Sequence, residues 1–130
     1  MTDTCFFCRS VLAGQDRPLL AETPHVVAFE DNFASGPGHT LVIPRRHVGR
    51  VLHLDDAEYV ELFAVARDQL RRLEGEQPDG FTIGINDGAA AGQSVPHVHL
   101  HLIPRRHGDT ANPRGGIRWA IPETAAYWDR

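Results

Sequence analysis

The stretch that most constrains this chain is "PHVHLHLI", in which His97, His99 and His101 alternate with apolar residues. Such alternation predicts a half-buried β-strand that carries the three histidines on one face and the apolar residues on the other. Residues four apart on a strand are separated by about 13 Å, so the three imidazoles cannot all contact one atom. The pattern leaves two hypotheses: two histidines share a metal with residues from elsewhere, or one is a nucleophile or base that its neighbours position.

The composition limits the kinds of partner. The chain has 130 residues, of which 42% are hydrophobic and 23% are charged, and its formal charge is -4 at pH 7. This length predicts one domain with a core of its own, and the negative charge argues against general binding to nucleic acid. The sequence shows neither an apolar run near the roughly 18 residues of a membrane span nor a charged-then-apolar leader. We therefore expect a cytoplasmic protein without a membrane partner.

Short apolar runs bounded by turn residues predict five strands, of which the first three precede any helix. The short connections between them favour antiparallel pairing. The predicted fold is α+β, with a mainly antiparallel five-stranded sheet and one long helix. The strands are expected within residues 18–23, 25–31, 38–45, 81–87 and 97–102.

The long helix is predicted within residues 54–76. Asp55 and Glu58 have the spacing of a capping box, and Leu54 and Tyr59 have that of a hydrophobic staple. Apolar residues recur at helical spacing, and we expect this stripe to belong to the core rather than to a cofactor site. The stripe consists of Tyr59, Leu62, Phe63, Ala66, Leu70 and Leu73.

The N-terminal motif "CFFC" places Cys5 and Cys8 three positions apart. A redox-active pair is expected after a strand and at the start of a helix in a βαβ unit, which this segment does not offer. The motif fits half of a zinc site better, and histidines are the obvious source of the two further ligands. In a reducing compartment we do not expect a structural disulfide.

The loop "NDGAAAGQS", residues 86–94, leads directly into the histidine strand. Its small residues allow backbone N–H groups to approach a ligand beside the histidine face. The loop is therefore a candidate phosphate cradle.

Four segments together resemble the histidine triad family of nucleotidyl hydrolases and transferases. They are "HVHLHLI", the "GQS" just ahead of it, "GHTLVIPRRH" at residues 38–47 and "AFED" at residues 28–31. The resemblance extends from about Cys5 to Arg106, and the "GD" and "PRGG" of the tail resemble bacterial members described as diadenosine polyphosphate hydrolases.

The resemblance implies a role for each residue of the catalytic set. His99 would be the nucleophile, with its other ring nitrogen donating to a backbone carbonyl. His101 would contact the phosphate with support from His39, and Gln93 and Ser94 would bind the phosphate chain or the departing group.

For nucleotide binding, the resemblance implies that Asp31 accepts from the ribose hydroxyls and that Asn86 contacts the α-phosphate. Adenine would lie in an apolar slot near Phe29. The implied structural zinc site differs from this set and consists of Cys5, Cys8, His47 and His97. His25, His53 and His107 match no role.

The implied reaction is hydrolysis at the α-phosphate of adenine dinucleoside polyphosphates or nucleoside phosphoramidates, through a nucleotidyl-histidine intermediate. It needs no organic cofactor, and magnesium would enter only with the polyphosphate substrate. The resemblance also implies a homodimer that forms through the sheet and the helix.

The sequence leaves open two alternative functions and the packing of the C-terminal tail. The protein could be a metal-dependent hydrolase in which His97 and His99 share a catalytic metal, or a non-catalytic nucleotide-binding sensor. We expect a histidine triad domain over residues 1–108, including the zinc-binding CxxC segment. The tail, residues 109–130, is expected to pack on this domain or on a partner subunit.

Overall fold

The structure is a computed structural model that describes residues 4–14 and 17–130. The strands are β1 Ala21–Glu22, β2 Val26–Glu30, β3 Thr40–Pro44, β4 Gly80–Ile85 and β5 Leu100–Arg105. They form one five-stranded sheet in the order β1-β2-β3-β5-β4, and every neighbouring pair is antiparallel. One long helix, α1, spans Asp56–Glu74. The predicted α+β fold is confirmed.

Helix α1 begins with the predicted capping box, in which Asp55 and Glu58 each bind the other's backbone. Two members of the predicted core stripe lie outside the core, because Tyr59 is 49% exposed and Phe63 is 43% exposed. That part of the prediction was wrong, because the face of the helix that packs on the sheet includes Val65 and excludes the two aromatic residues. The buried residues of α1 are Glu58, Leu62, Val65, Ala66, Gln69 and Leu73.

Helical structure also occurs ahead of the first strand, contrary to expectation. A π-helical segment spans Cys8–Ala13 and buries Cys8 and Val11. Side chains of this N-terminal segment pack on the face of the sheet opposite α1, against Phe29, Leu41 and Ile43. Cys5 and Cys8 are fully buried, and the N-terminal segment covers this face of the sheet.

The histidine strand begins later than predicted. Strand β5 starts at Leu100, so only His101 of the three alternating histidines lies in the sheet. The backbone N–H of Val98 donates instead to the carbonyl of Val48, in the loop after β3, at 2.7 Å. His97 and His99 are buried rather than half-exposed, because Phe7 of the N-terminal segment packs against both rings.

The tail contains a 3-10 helix at Gly116–Ala120, the short helix α2 at Pro122–Ala125 and a final 3-10 turn at Tyr127–Asp129. Its hydrogen bonds include one from the Trp119 indole to the carbonyl of Arg114 at 2.7 Å. Other short 3-10 turns occur at Val51–His53 and Ala89–Ala91. Across the described residues, no helix is long and apolar enough to cross a membrane.

Glu58 is the polar residue on which the start of α1 depends. Its carboxylate accepts from the Arg46 guanidinium at 2.8 and 3.1 Å and from the backbone N–H of Asp55 at 2.8 Å. Burial alone would raise the pKa of Glu58, but the hydrogen bonds from Arg46 and Asp55 lower it overall.

We expect Glu58→Ala to lower the free energy of unfolding by about 2 to 3 kcal/mol, because it removes charge-assisted hydrogen bonds and a helix cap. Urea unfolding at pH 7 measures the loss. The control is Asp68→Ala, which removes an exposed ion pair with Arg71 on the same helix and should cost less than about 1 kcal/mol. Equal losses in the two variants would contradict this role for Glu58.

Candidate active site and metal centre

A cavity of about 320 Å³ opens on the sheet face that the N-terminal segment covers. Other cavities in the described residues are larger, but this one contains two of the three alternating histidines. Its remaining walls are aromatic or apolar, with one carboxylate and one hydroxyl. The lining residues are Phe6, Phe7, Asp31, Phe33, Leu41, Ser94, Val95, His99 and His101.

The ring of His99 is fixed by a hydrogen bond from Nδ1 to the carbonyl of His97, at 2.8 Å. A carbonyl only accepts, so Nδ1 carries the proton and Nε2 of the neutral ring keeps its lone pair. The carbonyl partner that was predicted for His99 is therefore present. The ring also makes edge contacts with Phe7, at 5.1 Å between centroids, and with His101, at 5.0 Å. The cavity therefore contains a ring nitrogen, Nε2 of His99, in a fixed orientation.

His101 is oriented through His39. The backbone N–H of Ser35 donates to Nδ1 of His39 at 2.9 Å, so the proton of neutral His39 lies on Nε2. That Nε2–H donates to Nδ1 of His101 at 2.9 Å. The remaining proton of neutral His101 therefore lies on Nε2, and its N–H is available to a ligand oxygen in the cavity.

Burial favours the neutral form of the His101 and His39 rings near pH 7. Burial, followed by repulsion from His99 and His39, lowers the pKa of His101 to about 4, although Asp31 opposes the shift. Burial also lowers the pKa of His39, again against the attraction of Asp31. His101 consequently acts as a neutral hydrogen-bond donor rather than as a fixed positive charge.

Asp31 lies directly after β2, at the mouth of the cavity. One carboxylate oxygen accepts from the backbone N–H of Phe33 at 2.9 Å, and the other lies 3.5 Å from Nε2 of His39. Phe33 itself is 83% exposed, so its ring forms the outer rim of the cavity. The carboxylate is placed where hydroxyl groups of a ligand could donate to it.

Of the three loop residues expected to bind the phosphates, only Ser94 lines the cavity. The amide of Gln93 instead braces the loop, because it accepts from Gly88 N–H at 2.7 Å and donates to the carbonyls of Gly49 and Val95 at 2.9 and 3.0 Å. Asn86 is exposed and is not part of the cavity wall.

Phe29, near which an apolar slot for adenine was expected, does not itself line the cavity. Its side chain is fully buried and makes an edge contact with Phe7, at 5.6 Å between ring centroids. The aromatic wall is supplied by Phe6, Phe7 and Phe33, which sequence reasoning missed. The signal for two of them was present, since Phe6 and Phe7 lie between the two cysteines of "CFFC".

The four residues of the expected metal site come together behind this wall. The donor atoms of Cys5, Cys8, His47 and His97 all lie within 4.8 Å of one another. His97 Nδ1 is 3.5 Å from the Cys5 sulfur and 3.6 Å from the Cys8 sulfur, and His47 Nδ1 is 3.5 Å from the Cys8 sulfur. In a tetrahedral zinc site with bonds of about 2.1 and 2.3 Å, nitrogen and sulfur ligands are about 3.5 Å apart. The four residues therefore fit a closed tetrahedral metal centre.

The surroundings also suit a metal. His97 Nε2–H donates to the carbonyl of Pro44 at 2.7 Å, which leaves Nδ1 free of a proton and directed at the thiols. Burial raises the pKa of the Cys5 thiol, and a bound cation would offset the cost of its thiolate form. His97 and His99 occupy separate sites, so the structure disagrees with a single catalytic metal that both would ligate.

Comparison with known proteins agrees with this geometry. The sequence model of the HIT domain family matches residues 14–108. The chain belongs to the histidine triad (HIT) family. A solved structure of a zinc-bound histidine triad family protein from Mycobacterium smegmatis superposes with a TM-score of 0.72 and 32% identity, over 97% of this chain and 96% of that one.

Two relatives show the range of the family. An uncharacterised HIT-like protein of Methanocaldococcus jannaschii is 36% identical over 105 residues, which are 81% of this chain and 81% of that protein. The asymmetrical bis(5'-nucleosyl)-tetraphosphatase of Schizosaccharomyces pombe is 46% identical over 74 residues, which are 56% of this chain and 41% of that protein. The HIT protein described here is thus similar to a bis(5'-nucleosyl)-tetraphosphatase over somewhat more than half of its length.

The lowered pKa of His101 predicts how stability depends on pH. Between the ordinary histidine pKa of 6.5 and about 4, the unfolded chain binds a proton at this residue and the folded chain does not. The free energy of unfolding should therefore fall as the pH is lowered through this window. Urea unfolding between pH 4 and pH 7 should give a shallower pH slope for His101→Gln than for the wild type.

His107→Gln is the matched control, because the side chain of His107 is 94% exposed. This variant should keep the slope of the wild type. The same slope in His101→Gln as in the wild type would show that His101 titrates normally in the folded protein.

Proposed function

We propose that this HIT protein hydrolyses nucleotide conjugates at the α-phosphate, with Nε2 of His99 as the nucleophile. The observation that carries the proposal is the hydrogen bond from His99 Nδ1 to the His97 carbonyl, which leaves Nε2 with its lone pair on a ring that lines the cavity. A neutral imidazole needs no further base to attack phosphorus.

The reaction proceeds in two displacements. In the first, Nε2 of His99 forms a bond to the α-phosphorus, while the bond to the leaving group breaks and its electron pair departs with that group; a departing amine takes up a proton from solvent. In the second, water attacks the same phosphorus and gives up a proton to solvent, the nitrogen–phosphorus bond breaks with its electron pair returning to Nε2, and the mononucleotide is released. The Nε2–H of His101 donates to a phosphate oxygen, and Ser94 supplies a hydroxyl beside it.

The other walls of the cavity suit a nucleoside. The Asp31 carboxylate accepts from ribose hydroxyls, and Phe6, Phe7 and Phe33 offer flat apolar faces to a purine. The similarity to the fission yeast tetraphosphatase supports a dinucleoside polyphosphate as substrate, with nucleoside phosphoramidates as a second class that presents the same α-phosphate. Gln93 contributes indirectly, by holding the loop that carries Ser94.

The proposed metal is a structural zinc ion held by Cys5, Cys8, His47 and His97. Four protein ligands leave no open position for water, so the ion supplies a cross-link rather than a reactant. This link ties the N-terminal segment, with Phe6 and Phe7, to the residues that position His99. The zinc-bound mycobacterial relative supports the choice of metal. Thiolate ligands of this kind suit the cytoplasmic setting that we propose for the protein.

We also propose a homodimer. On α1, Tyr59, Val60 and Phe63 are substantially exposed, and Ile83 is exposed on β4, which forms one edge of the sheet. Exposed apolar residues on the helix and beside a free strand edge are what a partner copy would cover, as the family resemblance implies.

Replacing the nucleophile tests the proposed reaction. Wild-type protein, incubated briefly with adenosine phosphoramidate and quenched at alkaline pH, should gain the mass of one AMP residue in intact-protein mass spectrometry, because phosphoramidates survive alkali. His99→Ala should gain no mass and lose turnover by roughly a thousandfold or more. His107→Ala is the control and should behave like the wild type.

The proposal fails if the wild type consumes substrate without an adduct and His99→Ala keeps its turnover. That result would point to direct attack by water.

Removing a metal ligand tests the zinc site separately. The purified wild type should contain about one zinc per chain by elemental mass spectrometry, and Cys5→Ser should contain far less, since a tetrahedral site loses one of four ligands. Urea unfolding should show a loss of more than about 4 kcal/mol. Arg9→Ala changes an exposed side chain of the same segment and should keep the zinc. A wild type that neither contains nor takes up zinc would contradict the proposed centre.

A further inference from the structure

A second cavity, of about 440 Å³, lies between the tail and the sheet. Strand β4 contributes Thr82 to its wall and strand β5 contributes Arg105, while the tail contributes Asn112, Ile117 and Trp119 among others. None of these residues has a role in the cleavage described above. The cavity is therefore available for another part of a ligand.

This second cavity is adjacent to the active site across one strand. His101 of β5 pairs with Gly84 of β4, and such partners have α-carbons about 5 Å apart. Gly84 has no side chain, and a Cβ placed on it would lie 3.9 Å from Cδ1 of Ile117. Gly84 therefore adds no side chain between His101 and Ile117 of the second cavity, and the separation is short enough for an extended nucleoside phosphate to span.

The chemistry of the second cavity favours a flat, uncharged group. The Arg105 guanidinium makes two hydrogen bonds of 2.8 Å with the Asp109 carboxylate and one of 3.0 Å with the Thr82 hydroxyl. The hydrogen bonds raise the pKa of Arg105 and lower that of Asp109, so the two charges offset each other locally. What Arg105 offers is an immobilised plane on which an aromatic ring can stack.

The tail adds a second fixed plane. The indole N–H of Trp119 donates to the carbonyl of Arg114 at 2.7 Å, which holds the ring at the cavity wall. Ile117 lies beside it and is 67% exposed. Asn112 and Thr110 supply neutral donors and acceptors of the kind that read the edge of a nucleobase.

From this arrangement we infer that the second cavity binds the nucleobase of the leaving group, so that the tail selects substrates with a nucleoside on both ends of the phosphate chain. The inference rests on the proposed function, because it assigns a binding site to the departing half of a dinucleoside polyphosphate, the half that does not become attached to His99. The first cavity holds the nucleoside that becomes attached to His99, and the second holds the nucleoside that departs.

The test compares two substrates that share the AMP half. Diadenosine tetraphosphate has a nucleoside in its leaving group, whereas adenosine phosphoramidate has only an amine. Trp119→Ala and Ile117→Ser should each lower the ratio of kcat/KM for diadenosine tetraphosphate to that for the phosphoramidate by about tenfold, as loss of base stacking does elsewhere. Trp119→Phe keeps a flat ring and should restore most of the ratio.

Tyr127→Ala is the matched control, since Tyr127 is an exposed aromatic residue of the same tail outside the second cavity. It should leave the ratio unchanged. A turnover-independent check uses His99→Ala protein in calorimetry. Adding Trp119→Ala to it should weaken binding of diadenosine tetraphosphate by about tenfold and leave AMP binding unaltered.

The outcomes separate the two proposals. An unchanged ratio in both Trp119→Ala and Ile117→Ser, with the wild type active on both substrates, overturns the second nucleoside site while the hydrolase function stands. An equal fall of the ratio in Tyr127→Ala also overturns the site, because it would reflect general damage to the tail. A wild type that cleaves neither substrate overturns the hydrolase function and the second site with it.

Discussion

The position of His97 is the constraint on which the rest of the site depends. Its Nε2–H donates to the carbonyl of Pro44 at 2.7 Å, and its Nδ1 lies 3.5 Å from the Cys5 sulfur. Its own carbonyl accepts from Nδ1 of His99. One residue therefore joins the end of β3, the N-terminal segment and the candidate nucleophile. Because the carbonyl cannot donate, it also decides which nitrogen of His99 keeps a lone pair.

A second chain of hydrogen bonds gives the neighbouring histidine the opposite tautomer. It starts at the backbone N–H of Ser35, passes through His39 and ends on Nδ1 of His101. The rings of His99 and His101 are 5.0 Å apart between centroids, and one presents a lone pair while the other presents an N–H. The reaction proposed above would use both at once, the lone pair to attack phosphorus and the N–H to donate to a phosphate oxygen. The spacing of two residues places these rings near each other, and their different hydrogen-bond partners give them opposite tautomers.

Local patterns in the sequence were sufficient for much of the fold and for part of the site. The capping box of Asp55 and Glu58 was predictable because capping depends on residues three apart, and strand alternation likewise has a short period. What failed depended on distant contacts. The sequence could not show that the Val98 N–H donates to the Val48 carbonyl ahead of β5, or that Phe29 is buried against Phe7 rather than exposed in the cavity wall. The roles inferred for Cys5 and His97 required the family resemblance, since spacing alone left several ligands open.

The most direct test of the account is the protonation of the histidine rings, measured by long-range proton–nitrogen NMR at pH 7 and assigned with His99→Ala and His101→Gln. The account predicts that His99 carries its proton on Nδ1 and that His101 is neutral with its proton on Nε2. A proton on Nε2 of His99, in a neutral or a charged ring, would contradict it. The lone pair on which the proposed chemistry rests would then be missing from the cavity.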